Sequence, residues 1–185
     1  MPILAKEQDI FPESLFELEL PEDRDHAWWV FYTRARREKM LSRKLLRAGI
    51  PFYAPTIAKR YRSPNGRLRE SFVPLFPNYV FMYGTEEQRY WAMTTNCVSR
   101  WIRVADGEQL RQDLYNIWRL IQMDVPLTVE ARVLPGQRVR VRTGPFKGFE
   151  GIVLKRHSRV HLLVSVRFIN QGVSVELADC EVEPI

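Results

Sequence analysis

Large apolar residues fill the stretch VPLFPNYVFMYG, residues 73–84, around a central Pro-Asn pair. Because side chains alternate along a strand, Tyr79, Phe81 and Tyr83 would share one face, and the equally apolar residues between them would lie on the other. Such a pattern is typical of a strand buried on both sides, or of one that leaves a hydrophobic face open to a partner.

A strand and a helix are predicted earlier in the chain. The aromatic and β-branched residues of WWVFYTR, which begins at Trp28, predict a strand. A helix over about residues 36–48 follows, since Leu41, Leu45 and Ala48 share one helical face.

A β-hairpin is predicted between this helix and the strand at 79–83. Its turn is SPNG, residues 63–66, which ends in the Asn-Gly pair that two-residue hairpin loops favour.

Helices and strands alternate after residue 85. The pattern predicts a short helix at 86–95, a strand at 98–104 and a longer helix at 107–123. The apolar stripe of the longer helix consists of Leu110, Leu114, Ile117 and Ile121. Strands and helices interrupted by a hairpin predict an α+β fold, in which helices pack on a sheet as an α/β sandwich.

Short strands alone make up the end of the chain. The segments RVRVR, FEGIVLKR, HLLVSVRF, VSVEL and CEV alternate with period two, and Val139 and Val141 would point inward. Five such strands predict a small five-stranded β-barrel. The predicted organisation is an acidic N-terminal tail at 1–25, a first domain at 26–124, a linker at 125–134 and a barrel domain at 135–185.

Charge is segregated along the chain, whose formal net charge is +6. Residues 1–25 carry eight acids against two bases, whereas residues 26–124 carry 17 bases against eight acids. A basic body of this kind favours a polyanionic partner, with nucleic acid first. The acidic segment is interpreted either as a solvated tail or as a segment that docks on the basic body or on a partner.

Candidate catalytic chemistry is sparse. The chain has three histidines and two cysteines, and it contains no HExxH, GxSxG or phosphate-binding loop motif. His157 and His161 are four residues apart, a spacing that does not converge on a metal in a strand and loop. We therefore predict no enzyme activity, no catalytic residue, no metal and no cofactor. The absence of a signal sequence and of a long apolar run predicts a cytoplasmic protein without membrane contact.

A hydrophobic pocket is predicted from the aromatic strands. If Tyr32 lies beside Tyr79 and Phe81 on a neighbouring strand and helices cover only one side, the uncovered rings would suit a protruding element of a partner. The alternative is an ordinary core strand buried on both faces.

Five longer stretches carry a resemblance to a known family. They are WWVFYTRARREKMLSRKLLRAG, APTIAKRYRSPNGRLRESFVPLFPNYVFM, TTNCVSRWIRV, PGQRVRVRTGPFKGFEGIVLKR and VSVRFINQGVSVEL. With their LFP-[GN]-Y-V-F and GPF-x-G-F-x-G motifs, they resemble the NGN and KOW domains of the NusG family of transcription elongation factors. The resemblance covers roughly residues 27–185 and implies an NGN α/β sandwich followed by a five-stranded, SH3-like KOW β-barrel.

The resemblance also implies partners. It implies a factor that binds the clamp helices of the largest RNA polymerase subunit through an NGN pocket and suppresses pausing. The implied polymerase-binding residues are Tyr32, Phe76, Tyr79, Phe81, Ile102 and Val104. The implied contacts with upstream or non-template DNA are Arg34, Arg36, Arg37, Lys44, Thr95 and Asn96.

The KOW domain of such a factor meets a small-subunit ribosomal protein or the Rho termination factor. The implied contacts are Phe146, Phe149, Phe168 and Ile169. The parity of Phe168 with Val164 and Val166 instead favours a core position for its ring. Some specialised members fold this region as a helical hairpin, but the glycines and valines here favour strands.

The type of factor is also suggested by resemblance. The compact segment before PLFPNY, and Asn78 where general members have Gly, resemble the specialised RfaH and UpxY type. They favour a monomeric, operon-specific elongation or antitermination factor. The alternatives are a general factor that couples polymerase to the ribosome or to Rho, and a ribosome-associated, RNA-binding KOW protein.

Overall fold

The computed structural model describes residues 6–18, 25–132, 136–178 and 180–185, and its contacts divide the chain into two compact units, Met1–Gly107 and Glu108–Ile185. The strands are β1 (Ile10–Phe11), β2 (His26–Thr33), β3 (Phe52–Tyr53), β4 (Thr56–Arg62), β5 (Leu68–Pro74), β6 (Tyr79–Thr85), β7 (Val98–Arg103), β8 (Thr128–Glu130), β9 (Arg138–Val141), β10 (Glu150–Arg156), β11 (Arg159–Val166), β12 (Gln171–Glu176) and β13 (Val182–Pro184). The helices are α1 (Glu38–Arg47), α2 (Glu86–Thr94) and α3 (Gly107–Gln122), with a 3-10 turn at Arg167–Ile169. These elements confirm the predicted α+β class. The domain boundaries at 26–124 and 125–134 remain predictions.

An antiparallel sheet in the order β1-β3-β6-β2-β7 forms the centre of the first unit. Its register sets Tyr32 opposite Tyr79 and Val30 opposite Phe81. Directly opposed residues of an antiparallel pair lie on the same face, so these side chains share a face as the alternation predicts.

One face of this sheet packs against α1 and α2. Leu41 and Leu45 of α1 and Ala92 of α2 are buried there. The sheet side of the cluster consists of Trp29, Phe31, Phe52, Ala54, Val80, Met82 and Val98. This cluster is a hydrophobic core of the first unit.

The opposite face of the sheet is also largely buried. Trp28, Val30, Tyr53 and Phe81 on this face are each at most 3% exposed. The structure therefore favours the two-sided core strand over the uncovered aromatic face for most of the length of β6.

Part of the N-terminal segment lies in this core. Phe16 packs edge-on against Tyr53 with ring centroids 5.2 Å apart, and Leu15 is fully buried. Strand β1 pairs with β3, so that Ile10 lies opposite Tyr53. Residues 6–18 are therefore docked on the first unit, as in the second of the two interpretations of the acidic segment.

Charged contacts hold the same segment. Asp9 Oδ2 accepts hydrogen bonds from the Thr56 backbone N–H at 3.0 Å and from the Thr56 hydroxyl at 2.7 Å. Arg43 of α1 donates two hydrogen bonds to the Glu7 carboxylate, at 2.6 and 2.8 Å. These bonds lower the pKa of Glu7 below its usual value. The acidic segment therefore neutralises part of the basic surface of α1.

The turn before β6 depends on a buried acid. Asn78 has a φ of 68°, in the left-handed region that Asn and Gly tolerate better than other residues. Its N–H donates to Glu38 Oε1 at 2.7 Å, and its carbonyl accepts from the Thr33 N–H at 2.8 Å. Glu38 is only 7% exposed, so α1 fixes this turn from inside the unit.

The predicted hairpin is formed by β4 and β5, which pair with each other as a separate two-stranded sheet. The register runs from Thr56 opposite Pro74 to Arg62 opposite Leu68. Gly66 closes the turn at a φ of 73°, and its N–H donates to the Ser63 carbonyl at 2.8 Å.

Six strands form the sheet of the second unit, in the order β13-β9-β10-β11-β12-β8. Val139 and Val141 are buried as predicted. The sixth strand, β8, lies inside the segment that the sequence assigns to a linker, and it pairs Val129 with Val173. An added Cβ at Gly151 or at Gly172 would lie 2.4 Å from a carbonyl oxygen of β11, so the sheet needs glycine at both positions.

Helix α3 buries Leu110, Leu114 and Ile117 as predicted, but Leu120 is buried in place of the half-buried Ile121. The 3.6-residue repeat allows either position to continue the stripe, and only packing selects between them.

A buried carboxylate on α3 joins the helix to the end of β11. Asp113 accepts the Arg167 N–H at 2.9 Å and the Gln109 side-chain amide at 2.8 Å. Burial raises the pKa of Asp113, although these bonds and the Arg167 charge act against that rise. The residue therefore ties α3 to the second sheet.

Strand β8 is held by a second carboxylate. Glu130 is 9% exposed and accepts from Arg156 at 2.9 and 3.0 Å and from the Ser174 hydroxyl at 2.6 Å. Burial acts to raise the pKa of Glu130, but the bonds from Arg156 and Ser174 and the Arg156 charge outweigh it, so the pKa is lowered.

Replacing Leu15 by Ala tests the docking of the N-terminal segment. Because Leu15 is fully buried, we expect the free energy of unfolding to fall by about 3 kcal/mol in urea titrations followed by tryptophan fluorescence. The matched control is Leu18→Ala, in which the leucine is 45% exposed, and we expect a change within about 0.5 kcal/mol. Equal effects of the two substitutions would contradict the docked arrangement.

The Glu130 contacts predict a pH dependence of the second unit. Since the folded-state pKa lies below the usual value of 4.5, the stabilisation is present above that pH and is lost as the pH falls through the lowered pKa. Glu130→Gln should lower the free energy of unfolding by about 1–2 kcal/mol at neutral pH and flatten its acid dependence. The measurement is urea unfolding followed by the valine methyl NMR signals of this unit. The control is Glu176→Gln, which removes an exposed partner of Arg159 and should change little.

Candidate functional site

The aromatic face of the first unit has an accessible part. Tyr32 and Tyr79 lie opposite each other on β2 and β6, with ring centroids 5.4 Å apart in an edge-to-face arrangement, and both are half-buried. Ile102 of β7 lies opposite Val30 of β2 and is 48% exposed. The register therefore places Tyr32, Tyr79 and Ile102 on one face of three neighbouring strands. We call the surface formed by these three residues the aromatic rim, after its two tyrosines.

The other candidates for polymerase binding lie in the interior. Phe76 is 1% exposed, Phe81 is fully buried, and their rings are 6.4 Å apart at 89°. Val104 is 7% exposed, and its N–H donates to the Trp28 carbonyl at 2.9 Å. The expectation of an open pocket lined by Phe76 and Phe81 is thus corrected, because both rings are almost entirely removed from solvent. Their role as polymerase contacts stays a prediction.

An arginine lies against the aromatic rim, a feature absent from the sequence prediction. The Arg100 guanidinium lies 4.6 Å from the Tyr32 ring centroid. The Arg89 guanidinium, 4.2 Å from the Trp101 ring centroid, belongs to the other face of the sheet, since Trp101 lies opposite Phe31. Arg100 and Ile102 have the same parity in β7, so strand alternation could have indicated that they share a face. The rim therefore combines apolar area with a delocalised positive charge.

The candidates for nucleic-acid contact come together at one end of the first unit. Lys44 of α1 donates to the Thr95 carbonyl at 3.0 Å, and the Arg34 N–H donates to the Cys97 carbonyl at 2.8 Å. These bonds join the segment after β2, the helix α1 and the loop after α2. Asn96 is exposed in that loop at a φ of 60°.

Two further arginines complete this basic end. Arg36 has a φ of 59°, and Arg37 precedes the first residue of α1. Both are exposed, as is Arg34. The six candidates thus come from two stretches of the chain, 34–44 and 95–96, which the bond from Lys44 to the Thr95 carbonyl joins in the fold. Together they present N–H donors and positive charge that suit phosphate oxygens.

The KOW candidates divide into two pairs. Phe146 and Phe149 are buried, with ring centroids 6.4 Å apart, and the Arg119 guanidinium of α3 lies 4.2 Å from the Phe149 ring centroid. Phe168 is 39% exposed and Ile169 is half-buried. The buried position that parity favours for Phe168 is wrong, because β11 ends at Val166 and the 3-10 turn rotates the following side chains out of alternation.

Within the described residues, neither a cluster of metal ligands nor a membrane-spanning helix is found. Across the described ranges, no three His, Cys, Asp or Glu side chains gather closely enough to hold a metal ion. No helix in the described part of the chain combines the length and apolar character needed to cross a bilayer.

The comparison with known families agrees with this architecture. A model described as transcription termination factor NusG matches residues 26–117, and a KOW motif model matches residues 135–166. Together with the fold, these matches define a non-enzymatic transcription factor built from an NGN domain and a KOW domain. The chain belongs to the NusG family. The NusG and KOW domains support a role in transcription elongation and imply an interaction with RNA polymerase. Both belong to non-enzymatic families, so the prediction that the protein is not an enzyme is confirmed.

A ribosomal protein is also similar to part of the chain. The large ribosomal subunit protein bL19 of Prochlorococcus marinus (strain MIT 9312) is 33% identical over 82 residues. The alignment covers 44% of this chain and 59% of the length of that protein.

Proposed function

We propose that this protein is an operon-specific elongation or antitermination factor whose aromatic rim contacts the clamp helices of the largest polymerase subunit. The observation that carries the proposal is the placement of Tyr32, Tyr79 and Ile102 on one partly exposed face above buried rings. An apolar helix tip packed on this face gains about 25 cal/mol for each Å² of apolar surface removed from water.

Buried rings support the rim from below. Phe76, just before β6, and Phe81, within β6, pack edge-to-face in the interior. This contact holds β6, which carries Tyr79, in place before a partner binds. A surface ordered in advance loses less conformational entropy on binding. In this proposal Phe76, Phe81 and Val104 position the rim, and they contact the polymerase only if the face opens further.

Suppression of pausing follows from such an attachment without any chemistry. A factor that binds the clamp in its closed position more tightly than in its open position shifts the population toward the closed state. If clamp opening accompanies pausing, the ratio of paused to elongating complexes falls by the ratio of the factor's affinities for the closed and the open clamp.

The basic end of the first unit supplies a contact with DNA in this proposal. Arg34, Arg36, Arg37 and Lys44, with Thr95 and Asn96, bind the upstream or non-template strand. Support comes from their exposure and from the bond between Lys44 and the loop of Thr95. Guanidinium groups bind phosphates and base edges with the same fork of donors.

The turn before β6 supports the proposal that this factor acts on particular operons. Asn78 adopts a left-handed conformation at the position where general family members have Gly, as in the specialised members that the sequence resembles. The KOW surface around Phe168 and Ile169 would bind a small-subunit ribosomal protein or Rho, since Phe168 is an exposed aromatic residue in the 3-10 turn that follows β11.

A second candidate function is a ribosome-associated, RNA-binding KOW protein. The similarity to a ribosomal protein over 82 residues and the basic composition favour it. It differs from the first candidate in requiring no polymerase for binding.

Substitution of the rim tests the polymerase contact. Tyr32→Ala and Tyr79→Ala should each weaken binding to core RNA polymerase by about 30-fold, because aromatic residues at the centre of an interface contribute about 2 kcal/mol or more. The same variants should lose the effect on pause lifetime in single-round transcription.

The control for the rim is Tyr90→Ala, which removes a tyrosine that is 66% exposed on α2. It should bind polymerase like the unaltered protein. Unchanged affinity of both rim variants would contradict the proposal, and cosedimentation with ribosomes in the absence of polymerase would then favour the second candidate.

The DNA contact is tested by removing two charges. Arg36→Asn suits the left-handed backbone at that position, and combined with Arg34→Gln it should lower the slope of log affinity against log salt by about two for DNA in the polymerase complex. Lys155→Ala on β10 removes an exposed charge from the second unit and should leave the slope unchanged. An unaltered slope in the double variant would exclude this contact.

A further inference from the structure

The β4–β5 hairpin is strongly basic. Residues 57–70 contain five bases and one acid, and Arg60 donates to that acid, Glu70, at 2.8 Å. The hairpin therefore retains a marked positive charge after this pair is formed. None of the residues proposed above to bind polymerase or DNA belongs to it.

The register separates the hairpin into two chemically different faces. Tyr61 lies opposite Arg69, and Lys59 lies opposite Ser71, so Lys59, Tyr61 and Arg69 share one face. The paired Arg60 and Glu70 lie on the other face. All the cationic charge of the first face is therefore left without a nearby carboxylate on the hairpin itself.

Tyr61 is accessible on that face. It is 46% exposed, and it makes no ring contact with another described residue, in contrast to Tyr32, which lies against Arg100. Lys59 and Arg69 are exposed and form no salt bridge with any described acid. Two residues along a strand span about 7 Å, and a directly opposed residue lies about 5 Å away, so both cations flank the ring.

We propose that this face of the hairpin, Lys59, Tyr61 and Arg69, is a separate binding site for single-stranded nucleic acid. A base stacks on the Tyr61 ring, and the flanking phosphates contact the two cations. Stacking on an aromatic side chain requires an unpaired base with a free face, whereas the bases of a duplex are stacked on one another. An open ring between unpaired cations is the arrangement that such a strand needs.

This site extends the proposed function and does not depend on it. It involves no polymerase contact, and it lies on a sheet separate from the one that carries the aromatic rim and that Arg34 follows directly after β2. In a transcribing complex, the strand could be displaced DNA or nascent RNA, which share the chemistry of unpaired bases and phosphates.

The test measures binding of the full chain to a fluorescein-labelled deoxythymidine strand of about 12 nucleotides, by fluorescence anisotropy without polymerase. The background carries Arg34→Gln and Arg36→Asn, so that the other basic surface contributes less. We expect Tyr61→Ala to weaken binding about tenfold and Tyr61→Phe, which keeps the ring, to bind like the parent. Lys59→Gln and Arg69→Gln should each lower the salt slope by about 0.7.

Controls separate this site from a general basic surface. Leu68→Ala removes a residue on the opposite face that is 68% exposed, and it should bind like the parent. Thermal unfolding should show unchanged midpoints, since all these side chains are exposed. A uridine strand of equal length distinguishes the two candidate ligands. Tighter binding of the deoxythymidine strand identifies displaced DNA as the ligand, and tighter binding of the uridine strand identifies nascent RNA. Equal binding assigns both nucleic acids to the site.

Three results would overturn the proposal. They are unchanged affinity of Tyr61→Ala, equal loss in Tyr61→Phe and Tyr61→Ala, and binding of a duplex of the same length as tightly as the single strand. Loss of polymerase binding in the rim variants has no bearing on these measurements, so failure of one proposal is distinguishable from failure of the other.

Discussion

The pairing of β2 with β6 is the constraint on which the first unit depends. A shift of one residue between these strands would exchange their two faces, moving Tyr79 to the side of the helices and Val80 to the side of the rim. The turn before β6 opposes such a shift, because Glu38 and Thr33 bond to the backbone of Asn78 and fix where the strand begins. A buried carboxylate on a helix thus sets the register of two apolar strands.

Along one face of β6, this register produces side chains whose solvent exposure increases from the buried core toward the surface. Phe81 is fully buried, whereas Tyr79, two residues away on the same face, is half-buried beside Tyr32. The docked N-terminal segment adds to the buried end, where Phe16 contacts Tyr53. A partner therefore meets a small aromatic surface with a rigid support, and long-range packing sets its extent.

The charged side chains fall into two sets, those that pair with an opposite charge beside packed segments and those that are exposed to solvent. Glu7 binds Arg43, and Glu130 binds Arg156, where acids meet arginines beside packed segments. The cations of the hairpin face and of the segment around Arg34 are exposed. A net charge of +6 therefore understates the positive potential of these two surfaces, where a polyanionic strand would be attracted.

Strand alternation, the Asn-Gly turn and the helical stripes were enough to predict the α+β fold, the hairpin and the shared face of Tyr32 and Tyr79. These features depend on residues close together in the chain, and local periodicity records them. What covers each face was decided only by tertiary structure: Leu15 enters the core from a segment that composition alone could not place, and Phe81 is buried. Phe168 turned outward for a related reason, since alternation holds only while a strand continues and the 3-10 turn ended it.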